Sequence, residues 1–130
     1  MKTLLPPGWP RPKGYANGIA ARGRTIYTAG VVGWDKDEKF VADTLPAQFA
    51  QVLRNIVAIL EVDGAGPNNL VRLTCYVTSI DVYVAGLAEI GAAWKDIIGR
   101  HYPAMALVEV SRLVEPQALV EIEAIAVVPE

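Results

Sequence analysis

At 130 residues the chain has room for one domain. Its net charge of -2 and pI near 5.4, with no cluster of lysine and arginine, argue against the basic footprint that nucleic-acid binding requires. One histidine and one cysteine leave no usual zinc set and no internal disulfide, and no apolar run approaches the roughly 20 residues that span a bilayer.

Hydrophobic residues make up 52% of the chain and mean hydropathy is +0.28, high for a soluble monomer of this size. The expectation is an oligomer that hides the excess apolar surface. In MKTLLPPGWP a two-residue apolar run ends in prolines, so the segment does not read as a signal peptide and a cytoplasmic location is expected. Cys75 fits a reducing compartment and reads as a small buried hydrophobe on a strand.

Residues 3–14 hold four prolines and two glycines, which no helix or central strand tolerates, so 1–14 is expected to form an irregular arm. The domain proper then runs 15–130. Ile19–Ala21 and Thr25–Val32 flank Arg22-Gly23-Arg24, a plausible tight turn, and together predict a β-hairpin. Gly30 and Gly33 punctuate its second strand and point to a bulge or to another group lying close to the backbone. Trp34 opens a polar loop.

Asp43 or Thr44 can cap the next helix, with Pro46 in its first turn. Leu45, Phe49, Val52, Leu53, Ile56 and Leu60 form its apolar stripe, with Gln48, Gln51, Arg54 and Asn55 assigned to the other side. Val71–Thr78 alternates strictly and is the clearest strand in the sequence. Ser79 or Asp81 caps a second helix, whose stripe is Ile80, Val84, Leu87, Ile90, Trp94 and Ile97 and whose C-cap is Gly99.

Two strands close the chain, Ala104–Val110 and Leu119–Val127, joined by a loop through Pro116. In the second, Val120, Ile122, Ala124 and Ala126 share one face, while Glu121 and Glu123 share the other, about 7 Å apart. The carboxylate pair reads either as a polar pocket wall or as a solvated, salt-bridged strand face. The order is strand, strand, helix, strand, helix, strand, strand. Right-handed crossovers place both helices on one face of a mixed sheet, an α+β fold whose other face has no cover within one chain.

Gly14–Ile19, Thr28-Ala29-Gly30 and Tyr102-Pro-Ala…VEVSRL…VEIEAIAV to Val127 resemble the RidA/YjgF family, over about Tyr15 to Val127. The resemblance implies a chorismate-mutase-like fold and a homotrimer with small-molecule clefts between subunits. It further implies hydrolysis of reactive imines and enamines to ammonia and a keto acid, with neither metal nor cofactor. Carried over by position, the family's tyrosine matches Tyr15, its water-directing glutamate Glu121, and its second-strand glycine Gly30. The departures have one direction. The carboxylate-clamping arginine is replaced by Met105, the serine before the glycine by Ala29, and the cysteine by Leu107.

A bidentate guanidinium–carboxylate pair is strong and selective, whereas methionine offers apolar contact alone. The expectation is therefore a divergent deaminase acting on an imine or enamine other than 2-aminoacrylate, aromatic-derived compounds such as 2-aminomuconate included. Tyr15, Trp34, Tyr102 and Met105 are the candidate apolar walls, with Glu121 and Tyr15 as catalytic groups. The alternative is a metabolite-binding or regulatory trimer without turnover. A ribonuclease role has no basic patch to support it, and a hydrolase built on His101 with Ser79 or Ser111 lacks the Gly-x-Ser-x-Gly elbow.

Overall fold

The computed structural model describes residues 1–130. A first strand, β1 (Lys2–Leu4), pairs antiparallel with β2 (Gly18–Ala20) in a small sheet of its own. Next come β3 (Arg24–Tyr27), β4 (Val31–Val32), α1 (Leu45–Val62), β5 (Leu70–Val77), α2 (Ile80–Ala85), α3 (Leu87–Ile97), β6 (Ala104–Glu109) and β7 (Val120–Val128). In the main sheet the order is β3-β7-β5-β6, with β4 also along β7. β5 and β6, joined through helices, are parallel, and β7 runs antiparallel to β3, β4 and β5.

The core lies between the helices and one face of this sheet. Phe49, Leu53, Ile56 and Leu60 of α1 pack with Leu73, Cys75, Val77, Val120, Ile122 and Ala124, all at most 2% exposed. Removing each large side chain from water contributes roughly 1.5–3 kcal/mol. Thr44 caps α1 by accepting from the Ala47 amide at 3.3 Å, and Ser79 caps α2 through the Val82 amide at 3.2 Å. The opposite sheet face, carrying Thr74, Tyr76, Val108, Glu121, Glu123 and Ile125, has no helix over it.

Four expectations are corrected. The hairpin between Ile19–Ala21 and Thr25–Val32 does not form. Its first half pairs with β1, and after the turn at Gly23 (φ +147°) the chain leaves to run beside β7. The N-terminal arm is accordingly not irregular throughout, since Lys2–Leu4 is a strand. The second helix is two, not one: Gly86 seats against the Pro46 ring, where a Cβ would lie 2.6 Å from Cγ, and the break shifts the buried stripe. Val84 and Leu87 are consequently exposed, and Tyr83 takes the place against the core.

Gln48, finally, is 1% exposed rather than on the wet side of α1. Its amide donates to the carbonyls of Ala42 (3.1 Å) and Gln117 (2.9 Å) and accepts from the Leu119 amide (2.8 Å). It ties the helix to loops on both sides, so a buried polar group is fully satisfied.

Candidate functional site

β6 is an edge strand, and its side chains alternate between the two sheet faces. Register pairs Met105 with Leu73 and Leu107 with Cys75, which places both on the helix side. There they meet Ile90 and Trp94 of α3 at a cavity of about 480 Å³, within the size range of small-molecule sites. Tyr15 reaches the same cavity because the arm is stitched to β6. Ala16 bridges Ala104, and its amide donates to the Pro103 carbonyl at 3.0 Å. Tyr102 completes the wall, stacked on Trp94 with ring centroids 6.1 Å apart and planes 8° from parallel. The Trp94 indole donates to the His101 carbonyl at 3.2 Å, so this aromatic pair is held in position from behind.

Tyr15, Tyr102, Met105 and Leu107 are thus brought together. Ala29, Gly30 and Glu121 form a second group elsewhere. Register pairs Glu121 with Tyr76 on β5 and Val32 on β4, on the sheet face without helices. Its carboxylate crosses over Gly30, where an added Cβ would lie 2.6 Å from Oε2. Room for it comes from the interruption between β3 and β4. Thr28 bonds back to Ala124, its amide donating to the carbonyl and its hydroxyl accepting from the amide, both at 2.9 Å. The chain then lifts off β7 at Ala29–Gly30 before β4 resumes pairing.

The two glutamates differ. Glu123 accepts the Tyr76 hydroxyl at 2.8 Å, and that bond, with burial and the neighbouring carboxylates, raises the phenol above its ordinary pKa. Glu121 has no hydrogen-bond or ion-pair partner within the chain. Trp34 belongs to neither group. It packs on Phe40, centroids 5.8 Å apart, and its carbonyl accepts from Asn55 at 2.8 Å. His101 is engaged through its ring, Nε2 lying 2.6 Å from the Leu70 carbonyl, and Ser79 is engaged as a cap, so neither enters a nucleophilic dyad.

Sequence reasoning did not place Lys13, Phe49, Tyr83 and Trp94 at the cavity. Trp94 and Phe49 carry only a core signal in helical periodicity, and Lys13 sits in an arm whose prolines obscure its path. No group of three or more histidine, cysteine, aspartate or glutamate residues is arranged to hold a metal ion. No helix is long and apolar enough to cross a membrane.

Comparison with known proteins decides the family. The family model described as endoribonuclease L-PSP matches residues 10–128. The chain is a member of the RidA/YjgF family. A RutC family protein of Pyrococcus horikoshii is 36% identical over 119 residues, covering 90% of each chain. The 2-iminobutanoate/2-iminopropanoate deaminase of Salmonella typhimurium is 32% identical over 116 residues, 87% of this chain and 86% of that one. Among solved structures, a conserved Rid-family protein of unknown function from Yersinia pestis superimposes with a TM-score of 0.84 at 32% identity over 98% of both chains. The RidA-like fold thus extends over essentially the whole sequence.

Proposed function

We propose that this RidA-family protein is a divergent imine/enamine deaminase, hydrolysing a substrate other than 2-aminoacrylate in clefts formed between subunits of a homotrimer. One observation carries the reading. The unengaged carboxylate of Glu121 over Gly30 and the cavity of Tyr15, Met105 and Leu107 lie on opposite faces of one sheet. A single chain keeps them apart, whereas a neighbour seated against the β6 edge, where the cavity opens, can bring its own Glu121 to the cavity.

The chemistry follows from the groups. An enamine tautomerises to its imine. Glu121 accepts a proton from water as the oxygen adds to the C=N carbon, and the nitrogen takes up a proton. Collapse of the carbinolamine breaks the C–N bond, so R₂C=NH and H₂O become R₂C=O and NH₃. Tyr15 donates a hydrogen bond to the reacting centre. Met105 and Leu107 favour a larger, more apolar skeleton than a two- or three-carbon amino acid derivative, which includes aromatic-derived imines.

Glu121→Gln tests the mechanism. Ammonia release from imines generated in situ should fall at least ~100-fold while the oligomer persists. Full activity in that variant sinks it. A second reading, a metabolite-binding trimer without turnover, draws on the lining of the cavity, where nine of twelve residues are hydrophobic. It is favoured if the parent protein is silent across aliphatic and aromatic imines and only Met105→Arg is active.

A further inference from the structure

The molecule carries slightly more acid than base, 14 aspartate and glutamate residues against 12 lysine and arginine. Around the aromatic cavity the balance is reversed. Lys13 is the one charged side chain lining it. A second cleft, of about 600 Å³, adjoins it and shares Gly14, Tyr15 and Tyr102 as a common wall. Arg11 and Arg100 line that second cleft, beside His101. No aspartate or glutamate lines either one. The only ion pair within the chain joins Arg24 to Asp63, neither of which lines a cleft, so Lys13, Arg11 and Arg100 are in no intramolecular ion pair.

We propose that the two clefts form one elongated site for an amphiphilic anion. Its apolar skeleton lies against Trp94, Tyr102 and Met105, and its anionic group, a carboxylate or a phosphate monoester, is held by Lys13 with Arg11 and Arg100. The cation absent from position 105 is thus supplied from the N-terminal arm, some distance along the ligand. The consequence is a substrate class: an organic acid with an aryl or branched body whose charge is remote from the carbon that reacts. This rests on reading the aromatic cavity as the substrate site. An anionic group at the mouth also fits the physics, because a charge in a water-exposed rim retains part of its solvation while its aromatic body is desolvated. Lysine and arginine donors bind such a group through charge-assisted hydrogen bonds.

Calorimetric titration of the full chain tests it with three probes of one skeleton: 3-phenylpropanoate, its neutral amide 3-phenylpropanamide, and 2-phenylethyl phosphate. The propanoate or the phosphate should bind about ten-fold more tightly than the amide at low salt, with the advantage shrinking as salt is raised. Whichever of the two is tighter identifies the anion. Lys13→Met should remove most of the difference, Lys13→Arg should keep it, and the triple variant with Arg11→Met and Arg100→Met should abolish it. All three positions are exposed, so unchanged melting temperatures should accompany these effects. Equal affinity for acid and amide, an advantage that survives in the triple variant, or no saturable binding of any probe overturns the proposal. Ammonia release in the parent and in Glu121→Gln is measured separately, so the deaminase reading can stand where the anion site falls.

Discussion

Residue 30 can hardly be anything but glycine if Glu121 is to keep its place. A methyl group there would sit 2.6 Å from Oε2 and 2.8 Å from Cδ of the glutamate. Those atoms belong to the free end of a flexible side chain, so the carboxylate swings away rather than the strand breaking. Gly30→Ala should therefore separate activity from stability. Ammonia release is expected to fall ~10-fold or more while unfolding free energy changes by less than ~1 kcal/mol. Urea melts alongside turnover check both halves, and retained turnover in a folded Gly30→Ala protein argues against Glu121 as the water-directing group. Cys75 presents the opposite case, a reactive type made inert. Burial pushes its thiol up to about 12 from 9.0. Between those values the folded chain holds the proton and the unfolded chain has lost it. Stability from this group is thus complete below pH 9 and declines as pH rises toward 12, by about 1.4 kcal/mol per pH unit. Unfolding measured from pH 8 to 11 should show this slope in the parent and a shallower one in Cys75→Ala.

At the scale of elements, the strands with long alternating patterns were legible in the sequence and the short ones were not. Val71–Thr78 and Leu119–Val127 match β5 and β7 within one residue at each end, because one face of each is continuously apolar against α1. β1 is three residues long and has no period to read. The Arg22-Gly23-Arg24 turn signal is local, whereas the partner of β3 lies about a hundred residues downstream at Ile125–Val128, and the long-range pairing prevailed. At the candidate cavity, Tyr15, Tyr102, Met105 and Leu107 are anticipated from the sequence. Lys13 and Trp94 are not, since one lies in a proline-rich arm and the other obeys ordinary core periodicity. Gln48 is hidden by its type: a polar residue on a helix implies solvent, yet three backbone partners give this side chain a reason to be inside. Gln48→Leu keeps the volume and strands two carbonyls and one amide. It should cost about 2–4 kcal/mol by urea denaturation, more than Arg54→Leu at an exposed position of the same helix, which serves as the control. A loss below ~1 kcal/mol would mean that the loops holding Ala42 and Gln117 re-pair without it.

For the whole molecule, the uncovered sheet face is the central physical fact. Tyr27 is 73% exposed and Val108 46%, and they share that face with Ile125 and the Tyr76–Glu123 pair. That face leaves Tyr27 and Val108 in water among hydrogen-bonding side chains, a mixture suited to a subunit interface. We expect sedimentation to give three times 14.0 kDa. Mass alone does not test the shared site, but mixing does. Tyr15→Phe removes the hydroxyl proposed to donate to the reacting centre and Glu121→Gln removes the carboxylate, and each variant alone should be nearly inactive. If every cleft draws Tyr15 from one chain and Glu121 from its neighbour, random trimers made by co-expressing both variants hold intact pairs in about one quarter of their clefts. Ammonia release should recover to about that fraction of the parent rate. If both groups act within one chain, no intact pair can arise and the mixture stays as silent as its components. That second outcome would contradict the two-chain site directly, since opposite faces of one sheet leave Glu121 no path to the cavity except through a neighbour.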